Sequence, residues 1–167
     1  FDVVPFIPSE ERRGREFVPM DNATVRRLVD VELKRIAGIA FERIVSEPER
    51  KFLDPISGET HTLEFNLETG SKAGNVISAV YKTPDRVELN FLRASRDLAT
   101  YTRLKALKSP ALFVMTPTSS AMPRDDITRI ENVLDEQRWS LGKQGFRVKI
   151  HEDAPSLAND VWEWAEV

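Results

Sequence analysis

Ala111-Leu112-Phe113-Val114-Met115 is an unbroken apolar run. A run this short, with no polar alternation, reads as a strand buried on both faces of a sheet. Thr116 to Pro123 follows as a loop of small polar residues. From Arg124 to Leu141, Ile127, Ile130, Leu134 and Leu141 recur at helical spacing. Gly145 closes the connection, and Phe146 to Ile150 reads as a second strand. A strand–helix–strand unit of this length favours a parallel pair. The chain is therefore expected to be an α/β protein, a mixed sheet flanked by helices.

Working toward the N-terminus, Ser95 to Leu107 is helical in pattern, and residues 50–92 change period. Phe52 to Gly58 is turn-like. Thr60 to Glu68 alternates, with Leu63, Phe65 and Leu67 on one face. Gly70 to Gly74 is a turn, and Val76 to Lys82 is rich in β-formers. Thr83-Pro84-Asp85 turns again before a third alternating segment, Arg86 to Leu92. This predicts a three-stranded antiparallel meander.

Further upstream, Asp21 or Asn22 can cap a helix. Apolar residues at Val25, Leu28, Val29, Leu33, Ile36, Ala37, Ala40, Phe41, Ile44 and Val45 predict one long helix, ended by Pro48. Residues 1–22, rich in Pro and charge, read as an extended arm, and 23–167 as a single α/β domain. Working toward the C-terminus, Leu157 to Ala165 predicts a closing helix with Trp162 and Trp164 on different faces.

Composition narrows the function classes. Of 167 residues, 41% are hydrophobic and 31% charged, as in a globular domain. No apolar run approaches the roughly 20 residues that span a bilayer. The first residues lack the basic start and apolar centre of a signal peptide. There is no cysteine, which excludes disulfides, thiolate metal sites and a Cys nucleophile, and fits a cytoplasmic location. His61 and His151 are too far apart in sequence to suggest a zinc site. The net charge of −3 supplies no global attraction for nucleic acid, so such binding needs a local basic patch. Gly-x-Gly-x-x-Gly, Walker, Gly-x-Ser-x-Gly and His-Glu-x-x-His motifs are all absent.

The segment from Val87 to Leu104 remains. Its Glu88-Leu89-Asn90 and Arg96-Asp97-Leu98 resemble the core of restriction-endonuclease-like nucleases, the PD-(D/E)xK superfamily. In that family a strand bearing Glu-x-Lys, or a variant, leads into a helix and then a buried strand. Some type II restriction enzymes look closer still, with a Glu-x-Glu or Glu-x-Gln strand running into Asn and then an Arg-Asp-Leu helix start. The resemblance covers roughly residues 60–150. It implies two carboxylates on neighbouring strands holding Mg²⁺, which polarises a phosphate and lowers the pKa of a bound water. Carried onto this chain, Glu88 and an upstream acid, Glu68 or Glu64, would ligate the metal. Asn90 would stand in the Lys position, and Glu32 of the first helix would complete the shell. Arg12, Arg13, Arg15, Arg26 and Arg27 would meet phosphates of DNA or RNA.

The sequence departs from this pattern twice. No Asp or Glu lies between Gly70 and Pro84, where Asn75 takes the place expected for an acid. Asn90 is neutral as well. A second expectation therefore stands beside the first: a non-catalytic binding or assembly module that docks a protein partner through the N-terminal arm and the Trp-bearing terminal helix. Individual residues also have plain structural readings. Arg86, Glu88 and Asn90 could be an exposed strand face. Glu32 could pair with Arg35 or Arg43. The early arginines interleave with acids, as on a solvated surface. Ser119 and Ser120 could bind a ligand or lead into a helix cap. His61 and His151 could be general bases or exposed structural residues. Trp139, Trp162 and Trp164 could stack bases, pack the core or meet a partner.

Overall fold

A computed structural model describes residues 17–166 of the chain. Its helices are α1 (Asn22–Ala37), the short α2 (Phe41–Ile44), α3 (Pro84–Lys105), α4 (Arg124–Lys143) and α5 (Ala154–Glu166). Its strands are β1 (Glu49–Leu53), β2 (Thr60–Glu64), β3 (Leu67–Glu68), β4 (Ala73–Ser78), β5 (Ala111–Met115) and β6 (Arg147–His151). β1 and β2 form an antiparallel hairpin of their own. The main sheet has the order β3-β4-β5-β6, with β3–β4 antiparallel and the other two pairs parallel. The α/β class and the parallel β5–β6 pair are as the sequence led one to expect.

β5 is buried along its whole length, and the period of two splits its side chains between two cores. Leu112 and Val114 pack with Ile77, Phe91, Leu98, Ile130 and Leu134 beneath α3 and α4. Ala111, Phe113 and Met115 pack with Val25, Val29, Leu33, Leu157 and Val161 beneath α1 and α5. The result is a sheet between two helical layers. Gly74 permits one close approach: a Cβ there would lie 3.2 Å from both the Ala111 carbonyl oxygen and the Trp164 ring.

Several elements differ from expectation. The segment 86–92 is not a strand but the start of α3. Thr83 is the N-cap, its side chain accepting from the Arg86 N–H, and Pro84 occupies the first turn. Pro suits that position because its missing N–H would have no helical partner. Val87, Phe91, Ala94 and Leu98 are buried at helical spacing, while Leu89 is left partly exposed. The apparent alternation of Val87, Leu89 and Phe91 was a coincidence of overlapping periods. The antiparallel meander is therefore replaced by the β1–β2 hairpin, a β3–β4 pair and a crossover through α3.

The predicted helix 25–45 breaks at Gly38, whose φ of 59° caps α1 before a 3-10 turn leads into α2. Phe52 to Gly58, read as a turn, begins inside a strand: residues 49–53 pair with β2 from Glu49↔Glu64 to Leu53↔Thr60. The alternating run 60–68 divides at Phe65-Asn66 into β2 and β3. At α4 the N-cap position is Pro123 and no side chain caps it, so Ser119 and Ser120 do not serve that role.

Candidate functional site

A cleft of about 840 Å³ opens between α1 and α3 at the carboxyl end of β4. On α1 it is lined by Asn22, Arg26 and Asp30, which share one face because successive members lie four residues apart. Arg86, Leu89, Asn90 and Arg93 line it from α3. The segment Val45–Glu49 and the β2–β3 junction, with Glu64 and Asn66, complete the wall.

The cleft's geometry begins with the helix starts. Asp21 caps α1 by accepting from the Thr24 N–H at 2.8 Å, which holds its carboxyl below the usual range. Ser78 Oγ donates to the Met20 carbonyl, and the Met20 N–H reaches the Val80 carbonyl at 3.0 Å, pinning the chain entering α1 to the end of β4. Asn22 then accepts from the Ser78 N–H and from Asn90 Nδ2, both at 2.8 Å. Asn22 Nδ2 donates back to Asn90 Oδ1, and Asn90 Nδ2 also reaches the Ser78 carbonyl.

One turn further along α1, Arg26 is 6% exposed. Its Nε donates to the Val76 carbonyl at 2.9 Å, one Nη to Asn75 Oδ1 at 2.7 Å and the other to Glu64 Oε2 at 3.1 Å. Asn75 Nδ2 donates to the Glu64 carbonyl, and the Val76 N–H donates to Asn66 Oδ1. The amides thereby satisfy backbone groups that the β2–β3 break leaves without ladder partners.

Two buried groups of the lining remain unmatched among the described residues: Asn66 Nδ2, a donor, and Asp30 Oδ1, an acceptor. Burial pushes the Asp30 carboxyl up to about 6, against the pull of Lys34 and Arg26. Burial likewise raises the Tyr81 phenol, which lies beneath Arg86 at 5.2 Å.

The residues expected from sequence fall in four places. Glu88 lies on the exposed face of α3, not on a strand, with no hydrogen bond or ion pair among the described residues. Asn90 is part-buried in the cleft, but as a structural clamp on Asn22. Glu68 sits on β3, bound to Arg50 and to the Tyr101 hydroxyl, whose pKa burial and Glu68 together push up to about 12. Tyr101 lies about 20 Å along the α3 axis from Glu88, so Glu88 and Glu68 are held far apart. Glu32 pairs with Arg35 at 2.8 Å and does not line the cleft.

The expected arginines divide as well. Arg12, Arg13 and Arg15 lie outside the described residues. Arg26 is buried, with all three guanidinium nitrogens engaged by protein oxygens, which corrects its assignment as a phosphate contact. Arg27 is exposed at the cleft rim. His151 Nε2 is 2.6 Å from Asp160 on α5, and His61 is exposed on β2. Trp164 is buried, Trp162 is half-buried, and Trp139 is exposed beneath Lys143.

The donors near the cleft do not suit Mg²⁺. β4 carries no carboxylate, Glu64 is engaged by a guanidinium, and no group of three or more His, Asp or Glu converges among the described residues. Sequence reasoning missed the roles of Asn22, Asn66 and Asp30. A signal existed in Asn75, since a polar residue inside a buried strand needs a partner. Comparison with protein-family models, curated proteins and solved structures finds no match for this chain.

Proposed function

We propose that this chain is a non-catalytic binding module on a restriction-endonuclease-like scaffold, and that the α1–α3 cleft docks an extended segment of a protein partner. The observation that carries the reading is the seat of Arg26. A guanidinium is surrounded by Glu64, Asn75 and the Val76 carbonyl, the oxygen cluster that a divalent cation would need. A fixed positive charge there repels a second cation.

The rest of the lining suits a polypeptide. Asn66 Nδ2 lacks an acceptor and Asp30 Oδ1 lacks a donor, and one peptide unit offers both. Arg27, Arg86 and Arg93 share the lining with Asp21, Glu47 and Glu49, a mixed field that disfavours a polyanion. Leu89 lines the cleft, and Leu92, one turn on, is 52% exposed, together giving an apolar rim.

The test is a peptide-display selection against the domain, with Leu89→Asp as the counter-target. Selected peptides are expected to bind the parent and to lose at least tenfold in affinity against Leu89→Asp and against Arg93→Glu. Peptides insensitive to both substitutions would remove the cleft from the proposal. One observation favours a second reading, a metal-dependent nuclease: a cleft carboxyl whose pKa lies near neutrality, Asp30. Cleavage of plasmid or RNA with Mg²⁺ or Mn²⁺, abolished by Glu64→Gln and by Asp30→Asn, would establish that reading over ours.

A further inference from the structure

Asp30 lines the α1–α3 cleft two turns, about 12 Å, along α1 from Asn22. One of its carboxylate oxygens is buried and accepts no hydrogen bond among the described residues. The two cations whose charge reaches it, Lys34 and Arg26, are both directed elsewhere. Arg26, one turn back, turns its three guanidinium nitrogens to Val76, Asn75 and Glu64. Lys34, one turn on, stands 5.1 Å from the Phe41 ring and makes no ion pair with Asp30. Asp30 is therefore a shielded carboxyl with no counter-charge in contact, and burial keeps its proton to about pH 6.

A buried donor faces the same cleft. Asn66 is 2% exposed; its Oδ1 accepts from the Val76 N–H, while its Nδ2 has no acceptor among the described residues. The Ser46 N–H donates to the Asn66 carbonyl at 3.0 Å, which lays the segment 45–49 beside it. That segment brings Glu47 and Glu49 to the lining, both exposed and without an ion pair among the described residues. Arg86 is held toward the Asp21 end, over the Tyr81 ring that the Asp21 charge also reaches. Arg27, Arg93 and Glu64 complete the charged lining, which contains no His.

A peptide N–H would satisfy the Asp30 oxygen as an acceptor but leave its charge uncompensated in a shielded position. An ammonium or guanidinium supplies both the donor and the charge. We propose, as a consequence that rests on the docking function above, that the docked segment carries a lysine or arginine whose charged head pairs with the Asp30 carboxylate, while a carbonyl of the same segment accepts from Asn66 Nδ2. A bound cation favours the ionised carboxyl, so docking releases the Asp30 proton. Affinity then rises with pH, about tenfold between pH 5 and pH 7.5, and levels off above that.

The test uses the full chain and three blocked pentapeptides, acetyl-Ala-Ala-X-Ala-Ala-amide, in which X is lysine, arginine or norleucine. Norleucine keeps the lysine stem without its charge. The readouts are affinity by NMR titration and the Asp30 carboxyl carbon resonance, assigned by its loss in Asp30→Asn. At pH 7.5 the lysine and arginine peptides are expected to bind about tenfold tighter than the norleucine peptide, and to lose that advantage in Asp30→Asn. Circular dichroism confirms that the variant is folded. Equal binding of lysine and norleucine peptides, both lost in Leu89→Asp, overturns the basic side chain and leaves docking in the cleft standing. Parental affinity in Asp30→Asn, an affinity that does not change from pH 5 to pH 7.5, or no binding by either basic peptide also overturns it. The docking function itself falls only with the display selection, whose outcome does not depend on X.

Discussion

Asn22 and Asn90 form a reciprocal amide pair across the carboxyl end of β4, each donating to the other, at 3.1 and 2.8 Å. Both also hold the backbone of Ser78, Asn22 through its N–H and Asn90 through its carbonyl. The first turn of α1 and the second turn of α3, from opposite faces of the sheet, are thereby tied to one strand end. That tie sets the width of the cleft.

The pair should therefore behave as a unit. Asn90→Ala leaves Asn22 short of a partner and the Ser78 carbonyl short of a donor, and should cost about 1–3 kcal/mol. A double-mutant cycle with Asn22→Ala should give a coupling energy of about 0.5–3 kcal/mol by urea denaturation. Additive losses would show that the two amides act separately.

Arg26 should be the most sensitive polar position of the cleft. Arg26→Met keeps the apolar stem but strands Asn75 and the Val76 carbonyl in a buried setting, for an expected loss of about 2–4 kcal/mol. Glu64→Gln should cost less than about 1 kcal/mol, because the Glu64 side chain is 48% exposed and the pair is partly screened. Equal losses at the two positions in chemical denaturation would contradict this ordering.

Asp30 should make stability fall as pH rises. The native state keeps its proton to about pH 6, while the unfolded chain releases it near 3.8. Within that window the native state binds more protons, so unfolding becomes easier with each increment of pH. The favourable contribution is complete below pH 3.8 and lost above about 6. Asp30→Asn should accordingly raise Tm at pH 8 and leave it nearly unchanged at pH 3.5. Calorimetry across that range checks both the sign and the window.

Gly74 should be sensitive to an added side chain. Gly74→Ala drives a methyl to 3.2 Å from the Ala111 carbonyl and the Trp164 ring, and repacking should cost about 1–3 kcal/mol. The near-ultraviolet circular dichroism of Trp164 should change with it. A variant of parental Tm and spectrum would mean that α5 moves away without loss.

The elements legible in the sequence were those whose pattern has one solution. The continuous apolar run 111–115, the helical spacing of 124–141 and the strand after Gly145 each admit a single reading, and their order implies a parallel pair. The segment 84–92 was ambiguous because Val87, Leu89 and Phe91 satisfy period two over a short window while Val87, Phe91 and Ala94 satisfy the helix. Thr83-Pro84 could have decided it, since Pro in a first turn after a Thr cap is a helix start as well as a turn. That misreading had put Glu88 on a sheet, whereas it lies on an exposed helical face away from Glu68.

By itself the sequence determined the α/β class, the double burial of β5 and the absence of a carboxylate on β4, because hydrophobic periodicity and residue identity are local properties. Only the tertiary structure decided which polar residues meet. Asn22, Arg26, Asn75 and Asn90 are distant along the chain, and the demand that every buried polar group find a partner is met only when the layers close. The cleft exists for the same reason: it is walled by segments that only the sheet order brings together.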